Sequence, residues 1–159
     1  MKAVLQRVGR AKVTVDSAVV ARIDVGLLVY VGVGAGDTVD EARKLAEKVA
    51  DLRIFKDDAG KLNLSVRDVG SNVLAVPNFT LQADARKGRR PAFVGAARAD
   101  QAQPLYDAFV KHLIDSGCRV ATGVFGADML IDSLADGPVN IILDIQPDRK
   151  DLDGQRSVR

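Results

Sequence analysis

The chain of 159 residues holds one cysteine, one histidine and no tryptophan. With Cys118 alone, no intrachain disulfide is possible, which suits a reducing compartment, and a cytoplasmic location is expected. Cys118 reads as a small core residue rather than a nucleophile. With His112 alone, a zinc site built on several histidines is excluded. His112 lies near the end of a helical pattern, where a cation favours the dipole, and nothing supports a Ser-His-Asp triad around it. No apolar run approaches the roughly 18 residues that a membrane span needs. Met1-Lys2-Ala3-Val4 runs straight into an alternating strand pattern, with no apolar core of a signal peptide. Charge of one sign is also scarce: 23 Lys and Arg face 21 Asp and Glu, a net +2. Any basic surface for a polyanion must therefore be local. The composition, 47% hydrophobic and 28% charged, is that of a globular chain whose length fits one domain with a single core.

Hydrophobic periodicity gives the elements. Lys2 to Gly9 alternates, Ala11 to Asp16 repeats the habit, and Ser17-Ala18 turns into Val19 to Ile23; these read as short antiparallel strands. Gly26 to Val33 is an unbroken apolar run, a central strand buried on both faces. Thr38 and Glu41 form a capping box for a helix over 38–52, with Val39, Ala42, Leu45, Ala46, Val49 and Leu52 on one stripe. Asp57 to Gly60 is a turn. Asn72 to Pro77 is a strand ending at its proline, and Ala83 to Arg98 is an exposed loop. A second helix runs from about Gln103 to Ser116, with Pro104 at its first position and Gly117 as C-cap. Val120 to Thr122, Met129 to Leu134 and Val139 to Ile145 are strands, the last two joined by a hairpin turn at Asp136-Gly137. From Gln146 onward apolar residues almost vanish, so 1–145 is expected as a single domain and 146–159 as a flexible tail. The order of elements predicts an α/β fold with mixed or antiparallel sheets and helices on one side, not a doubly wound parallel sheet.

Three segments carry chemistry. Gly32-Val33-Gly34-Ala35-Gly36 sits between strand and helix, the setting of a phosphate loop, but its spacing is G-x-G-x-G and no G-K-[ST] follows; a glycine turn is the better reading. Arg86-Lys87-Gly88-Arg89-Arg90 places four cations in five residues. That is either a solvated loop or a phosphate-contacting element whose glycine allows close approach. Asn78-Phe79-Thr80-Leu81 sets an amide and a hydroxyl at a strand end beside that loop. Composition alone favours a trans peptide at Gly137-Pro138.

Together these blocks resemble one family from Met1 to about Asp144. The resemblance rests on Ala3-Val4-Leu5-Gln6-Arg7-Val8, Leu52-Arg53-Ile54-Phe55, Gly60-Lys61-Leu62-Asn63, Asn78-Phe79-Thr80-Leu81 and Arg86-Lys87-Gly88-Arg89-Arg90-Pro91. It continues through Thr122-Gly123-Val124-Phe125-Gly126-Ala127-Asp128-Met129 and Asp136-Gly137-Pro138-Val139. The family is the D-aminoacyl-tRNA deacylases. The resemblance implies a barrel-like core and hydrolysis of the ester between a D-amino acid, or glycine mischarged on tRNA(Ala), and the tRNA 3′ end. It also implies a homodimer with its sites at the subunit interface, and neither metal nor organic cofactor. Asn78, Phe79 and Thr80 would supply backbone N–H groups and a hydroxyl to the ester. Gly137 and Pro138, through a cis peptide held by Arg7, would exclude L substrates. Phe125 and Met129 would line the pocket, and Arg86, Lys87, Arg89 and Arg90 would meet the tRNA. Preorganised N–H groups can stabilise the oxyanion of ester hydrolysis, with the terminal ribose 2′-OH assisting; Thr80 as nucleophile is the rival, without an activating base.

Two motifs depart from the family. Ser-Gln-x-Thr-Leu is Pro77-Asn78-Phe79-Thr80-Leu81 here, and Asn-x-Gly-Pro-x-Thr is Ala135-Asp136-Gly137-Pro138-Val139-Asn140. A proline at 77 is similar to an animal relative with a trans Gly-Pro and a roomier site, from which Phe79 and Arg7 separate this chain. The alternatives are thus a relaxed editing enzyme acting on a small L-aminoacyl-tRNA and a non-catalytic RNA-binding relative.

Overall fold

The computed structural model describes residues 1–147; most of the stretch expected as a tail lies outside the described residues. Strand β1 (Lys2–Val15) is followed by β2 (Ala18–Ile23), β3 (Gly26–Gly32), helix α1 (Val39–Asp51), β4 (Phe55–Lys56) and β5 (Leu62–Leu64). Then come β6 (Asn72–Pro77), a 3₁₀ turn (Phe79–Gln82), helix α2 (Ala99–Asp115), β7 (Arg119–Thr122) and β8 (Leu130–Asp144).

The main sheet runs β2-β1-β3-β6-β7, with β8 on the other side of β1. β1 is antiparallel to β2, β3 and β8, whereas β3, β6 and β7 are mutually parallel. β2 leans back against β6 and β7, so the sheet curls into a nearly closed barrel. Alternation then feeds two cores. Ala3, Leu5, Leu27, Val29, Val31, Val73 and Ala75 face the helices, whose Leu45, Val49, Phe109 and Leu113 are fully buried against them. Val8, Val13, Leu28, Leu74 and Val76 fill the inside of the curl. Serving both cores is why β3 and β6 read as unbroken apolar runs. Gly26 is needed where these strands touch: a Cβ there would lie 2.0 Å from the Asn72 carbonyl oxygen.

Local signals hold. Thr38 N–H donates to Glu41 Oε2 (2.8 Å) and Asp40 N–H to Thr38 Oγ1 (3.2 Å), closing the capping box of α1. Val39, expected on the buried stripe, is exposed at the first turn. α2 ends in a Schellman motif: Gly117 (φ +88°) donates to Ile114 O and Cys118 to Leu113 O.

Three expectations are corrected. Lys2 to Val15 is one strand, because β1 passes from partner β3 to partner β2 without a break. The Asp136-Gly137 hairpin does not exist. Residues 140–144 and 130–135 both pair with β1, and the chain never reverses. Between the pairs Gln6↔Asn140 and Val8↔Ala135, residues 136–139 stand opposite Arg7 alone. Pro138 has no N–H for the ladder, so the segment bulges instead. The Gly137–Pro138 peptide is cis. Finally, α2 starts at Ala99, with Pro104 inside it. Burial of Ala102 holds the first turn, and the donor missing at Pro104 would have met only the Asp100 carbonyl.

Candidate active site

The three parallel strands all point their C-terminal ends at one cleft, where open α/β sheets commonly bind ligands. It encloses about 210 Å³ between Val31 and Val33 of β3, Pro77 of β6, Ala102 and Tyr106 of α2, and Phe125 on the loop after β7. Asn78 and Phe79 form its rim. A larger groove crosses the outer face of β1, β2 and β8. It is open and of mixed charge, with Arg10, Lys12 and Arg22 beside Asp24 and Asp132, and it lies away from the strand ends.

Among the described residues that line the cleft, Tyr106 alone is titratable. Its hydroxyl donates to the Ala75 carbonyl (2.9 Å), and burial, helped by nearby Asp107, raises its pKa. Tyr106 therefore stays neutral and committed. It braces β6 two residues before Pro77, and its ring stands 6.3 Å from that of Phe125. The cleft wall is otherwise apolar. No group of three or more His, Cys, Asp or Glu among the described residues is placed to hold a metal ion.

The rim is built by the end of β6. Asn78 N–H donates to Val31 O (2.7 Å), and the chain then enters the 3₁₀ turn. Asn78 Oδ1 accepts from Thr80 N–H (3.2 Å) and from Thr80 Oγ1 (2.5 Å). Thr80 is exposed just outside the cleft. Gln82 Nε2 ties the turn to Gly32 O (2.8 Å). The glycine segment is a turn, as expected: Gly34 N–H donates to Asp37 Oδ2 (2.5 Å) and Ala35 N–H to Gly95 O (3.0 Å). The Gly34 and Ala35 donors are thus taken by the chain itself.

The basic loop stands beside this rim. Asp84 and Ala92 exchange two backbone hydrogen bonds (2.7 and 2.9 Å) and close the loop at its base. Phe93 then packs edge-on against exposed Phe79, with ring centroids 5.1 Å apart. Arg86 grips Asp84 with two nitrogens, Nε to Oδ1 at 2.9 Å and Nη2 to Oδ2 at 2.6 Å. That pair holds the Asp84 carboxyl down at about 2. Lys87, Arg89 and Arg90 are exposed and have no ion pair among the described residues.

Arg7 lies at another place in the chain. It is 4% exposed; Nη1 donates to Ile54 O (2.6 Å), and Nε lies 2.8 Å from Asp136 Oδ2. The N–H at Nε is not aimed at that oxygen, so the contact is an ion pair without a well-directed hydrogen bond. Gly137 (φ +125°) sits against it: a Cβ there would meet Arg7 Nη2 at 3.2 Å and Val139 at 2.8 Å. Gln6 brackets the bulge, accepting from Ser133 Oγ (2.9 Å) and donating to Asn140 Oδ1 (3.1 Å).

Of the residues singled out in the sequence, Asn78, Phe79 and Phe125 line the cleft and Thr80 adjoins it. Met129 does not line it; it packs with the core inside the curl, against Gly123. Arg7, Gly137 and Pro138 are absent from the cleft wall of their own chain. Tyr106 and Phe93 were missed as site residues. Tyr106 was legible only as part of a buried helical stripe, and Phe93 only as a lone aromatic in a polar loop.

Residues 4–144 match the sequence model of the D-Tyr-tRNA(Tyr) deacylase family. The chain is 51% identical to a D-aminoacyl-tRNA deacylase of Desulforamulus reducens over 91% of its own length and 97% of the relative's. Among solved structures it is similar to a c-Myc DNA unwinding element binding protein (38% identity, TM-score 0.87, covering 93% of this chain and all of that one). It shares the fold of a probable eukaryotic D-amino acid tRNA deacylase (20% identity, TM-score 0.79, covering 91% and 98%). By sequence along nearly its whole described length, the chain belongs to the D-Tyr-tRNA(Tyr) deacylase family.

Proposed function

We propose that this protein hydrolyses the ester linking a D-amino acid to the 3′ end of tRNA, releasing free tRNA and the D-amino acid. The observation that carries the reading is the contact of Phe93 with Phe79, which sets a basic loop against the rim of an apolar cleft. An aminoacylated RNA end brings both partners: phosphates for Lys87, Arg89 and Arg90, and a terminal adenosine with its aminoacyl group for the cleft. Water attacks the ester carbonyl, and the charge that develops is stabilised by the backbone N–H of Phe79 at the strand end, since those of Asn78 and Thr80 are taken by Val31 O and Asn78 Oδ1. With Tyr106 committed to Ala75, the cleft wall supplies no general base, and the terminal ribose 2′-OH assists in its place.

Chirality is read by backbone at the Gly137-Pro138 bulge. In this reading the bulge of one subunit reaches the cleft of its partner in a two-fold homodimer. Two features support that. The bulge is absent from the cleft of its own chain. Among the described residues β8 pairs only with β1 and so presents a long free edge with Leu130 74% and Ile142 77% exposed, which is uncommon on a monomer. Glycine has no Cβ to be refused, so glycyl-tRNA(Ala) is a further substrate. The stretch 1–145 acts as one domain, and the protein works in the cytoplasm, where charged tRNA is used. No helix among the described residues is long and apolar enough to cross a membrane.

The test is D-aminoacyl-tRNA hydrolysis by the purified protein and by Ala102→Phe, which fills the cleft. Loss of turnover in a folded variant supports the reading, and unchanged turnover rejects it. A non-catalytic nucleic-acid-binding reading is favoured if tRNA binds through the basic loop and no ester is cleaved.

A further inference from the structure

The Asn78 side chain folds back on its own chain. One atom of its amide lies 3.2 Å from Thr80 N and 2.5 Å from Thr80 Oγ1. A backbone N–H can only donate, so that atom is the carbonyl oxygen Oδ1. The Thr80 hydroxyl shares the same oxygen and must donate to it as well. A threonine hydroxyl has one proton. With the proton given to Asn78, both lone pairs of Oγ1 are left to accept, and Thr80 is an exposed residue. The Thr80 amide is occupied too. Phe79 opens the 3₁₀ turn, so its N–H has no acceptor within the turn, and among the described residues it is the donor left free at this rim.

We infer that Asn78 is a positioning residue, which fixes Thr80 as a hydrogen-bond acceptor toward the substrate and leaves Phe79 N–H as the free donor. The inference rests on the deacylase reading for its consequence in catalysis, but the contact exists without substrate. An amide oxygen is far too weak a base to keep the Thr80 proton near neutral pH, so Asn78 orients the hydroxyl without activating it. The groups that could donate to Thr80 are the α-ammonium of the aminoacyl group and a ribose hydroxyl. Reach matters here. A two-carbon amide closes on the residue two positions ahead, as in an Asx turn, whereas the glutamine of the family motif carries one more methylene and must fold to do so. The departure at position 78 thereby couples Asn78 to Thr80.

A double-mutant cycle tests this. Asn78→Ala and Thr80→Val are each expected to lower kcat/KM for D-aminoacyl-tRNA about tenfold, the effect of one lost hydrogen bond. The double variant should lose no more than either single change, because both remove the same contact. Losses that multiply to about a hundredfold would mean independent roles and overturn the inference. A second readout needs no substrate. Amide exchange at Thr80 should quicken in Asn78→Ala and stay slow in Asn78→Asp, which keeps the acceptor. Unchanged exchange in the alanine variant overturns the contact itself, and the aspartate variant controls for folding. If the native protein hydrolyses no D-aminoacyl-tRNA while Thr80 exchange follows Asn78, the deacylase reading fails and the positioning contact stands.

Discussion

Replacing Arg7 by methionine separates the roles that its guanidinium combines. The side chain is buried and bonds Ile54 O at 2.6 Å, with Asp136 at 2.8 Å. Losing a hydrogen bond from a charged donor costs about 1.5–3 kcal/mol. The ion pair adds no more than about 1 kcal/mol, because Asp136 is 55% exposed and solvent screens it. Methionine refills most of the stem volume, and relief of the buried charge offsets part of the loss. The net is about 1–3 kcal/mol, or roughly a 2–12 °C fall in melting temperature. Selectivity should change more than stability. Freed from Arg7, the bulge at 136–139 no longer holds its backbone against an L side chain, and the ratio of D- to L-aminoacyl-tRNA hydrolysis should drop about tenfold or more, a differential of about 1.4 kcal/mol. The ratio is the quantity to measure, because unfolding lowers both rates together. An unchanged ratio with both rates reduced would mean that Arg7 does not hold the bulge, and an unchanged melting temperature would mean that its contacts add nothing to stability.

Other parts of the structure give separate outcomes. Asp37→Asn removes one half of a buried pair, since the Met1 ammonium lies 2.7 Å from Asp37 Oδ1 with both groups almost inaccessible; calorimetry should read a loss of about 3–5 kcal/mol, and a loss below about 1 would contradict the pairing. Changing Arg89 and Arg90 to alanine should flatten the log–log salt dependence of tRNA binding by about one to two, and an unchanged slope would put the RNA elsewhere. The Asp84 carboxyl should titrate at about 2, below its ordinary 3.8. A depressed folded-state pKa makes its contribution to loop order complete above the ordinary value and lost as pH falls through about 2. An NMR midpoint near 3.8 would mean that Arg86 is free for phosphate.

What was legible in the sequence was local. The Thr38–Glu41 box and the Gly117 cap are fixed by neighbours within a turn, and both appear as read. β3 and β6 were legible because burial on both faces leaves no polar alternation. β8 was not. Gly137-Pro138 reads as a turn, and only the pairing of residues on both sides of it with the first strand of the chain shows that the chain runs straight through. The same nonlocality hid the continuity of β1. At the site, Asn78, Phe79, Thr80 and Phe125 were identified by resemblance and lie together, but Met129 followed its strand into the second core. The run of four cations hides that Arg86 is paired, with Asp84 two residues earlier. Phe93 and Tyr106 needed the folded chain, because neither motif nor spacing marks an aromatic whose partner, Phe79 or the Ala75 carbonyl, lies in another element.

The central claim is that the cleft cleaves aminoacyl esters and reads their handedness. The most direct measurement follows hydrolysis of one tRNA charged with the D and the L form of the same amino acid, by the native protein, at equal concentration and pH. The D ester should be lost with enzyme turnover while the L ester decays at its spontaneous rate. Equal hydrolysis of both would contradict the chiral reading and leave a relaxed editing enzyme. Hydrolysis of neither, with tRNA bound, would contradict catalysis altogether.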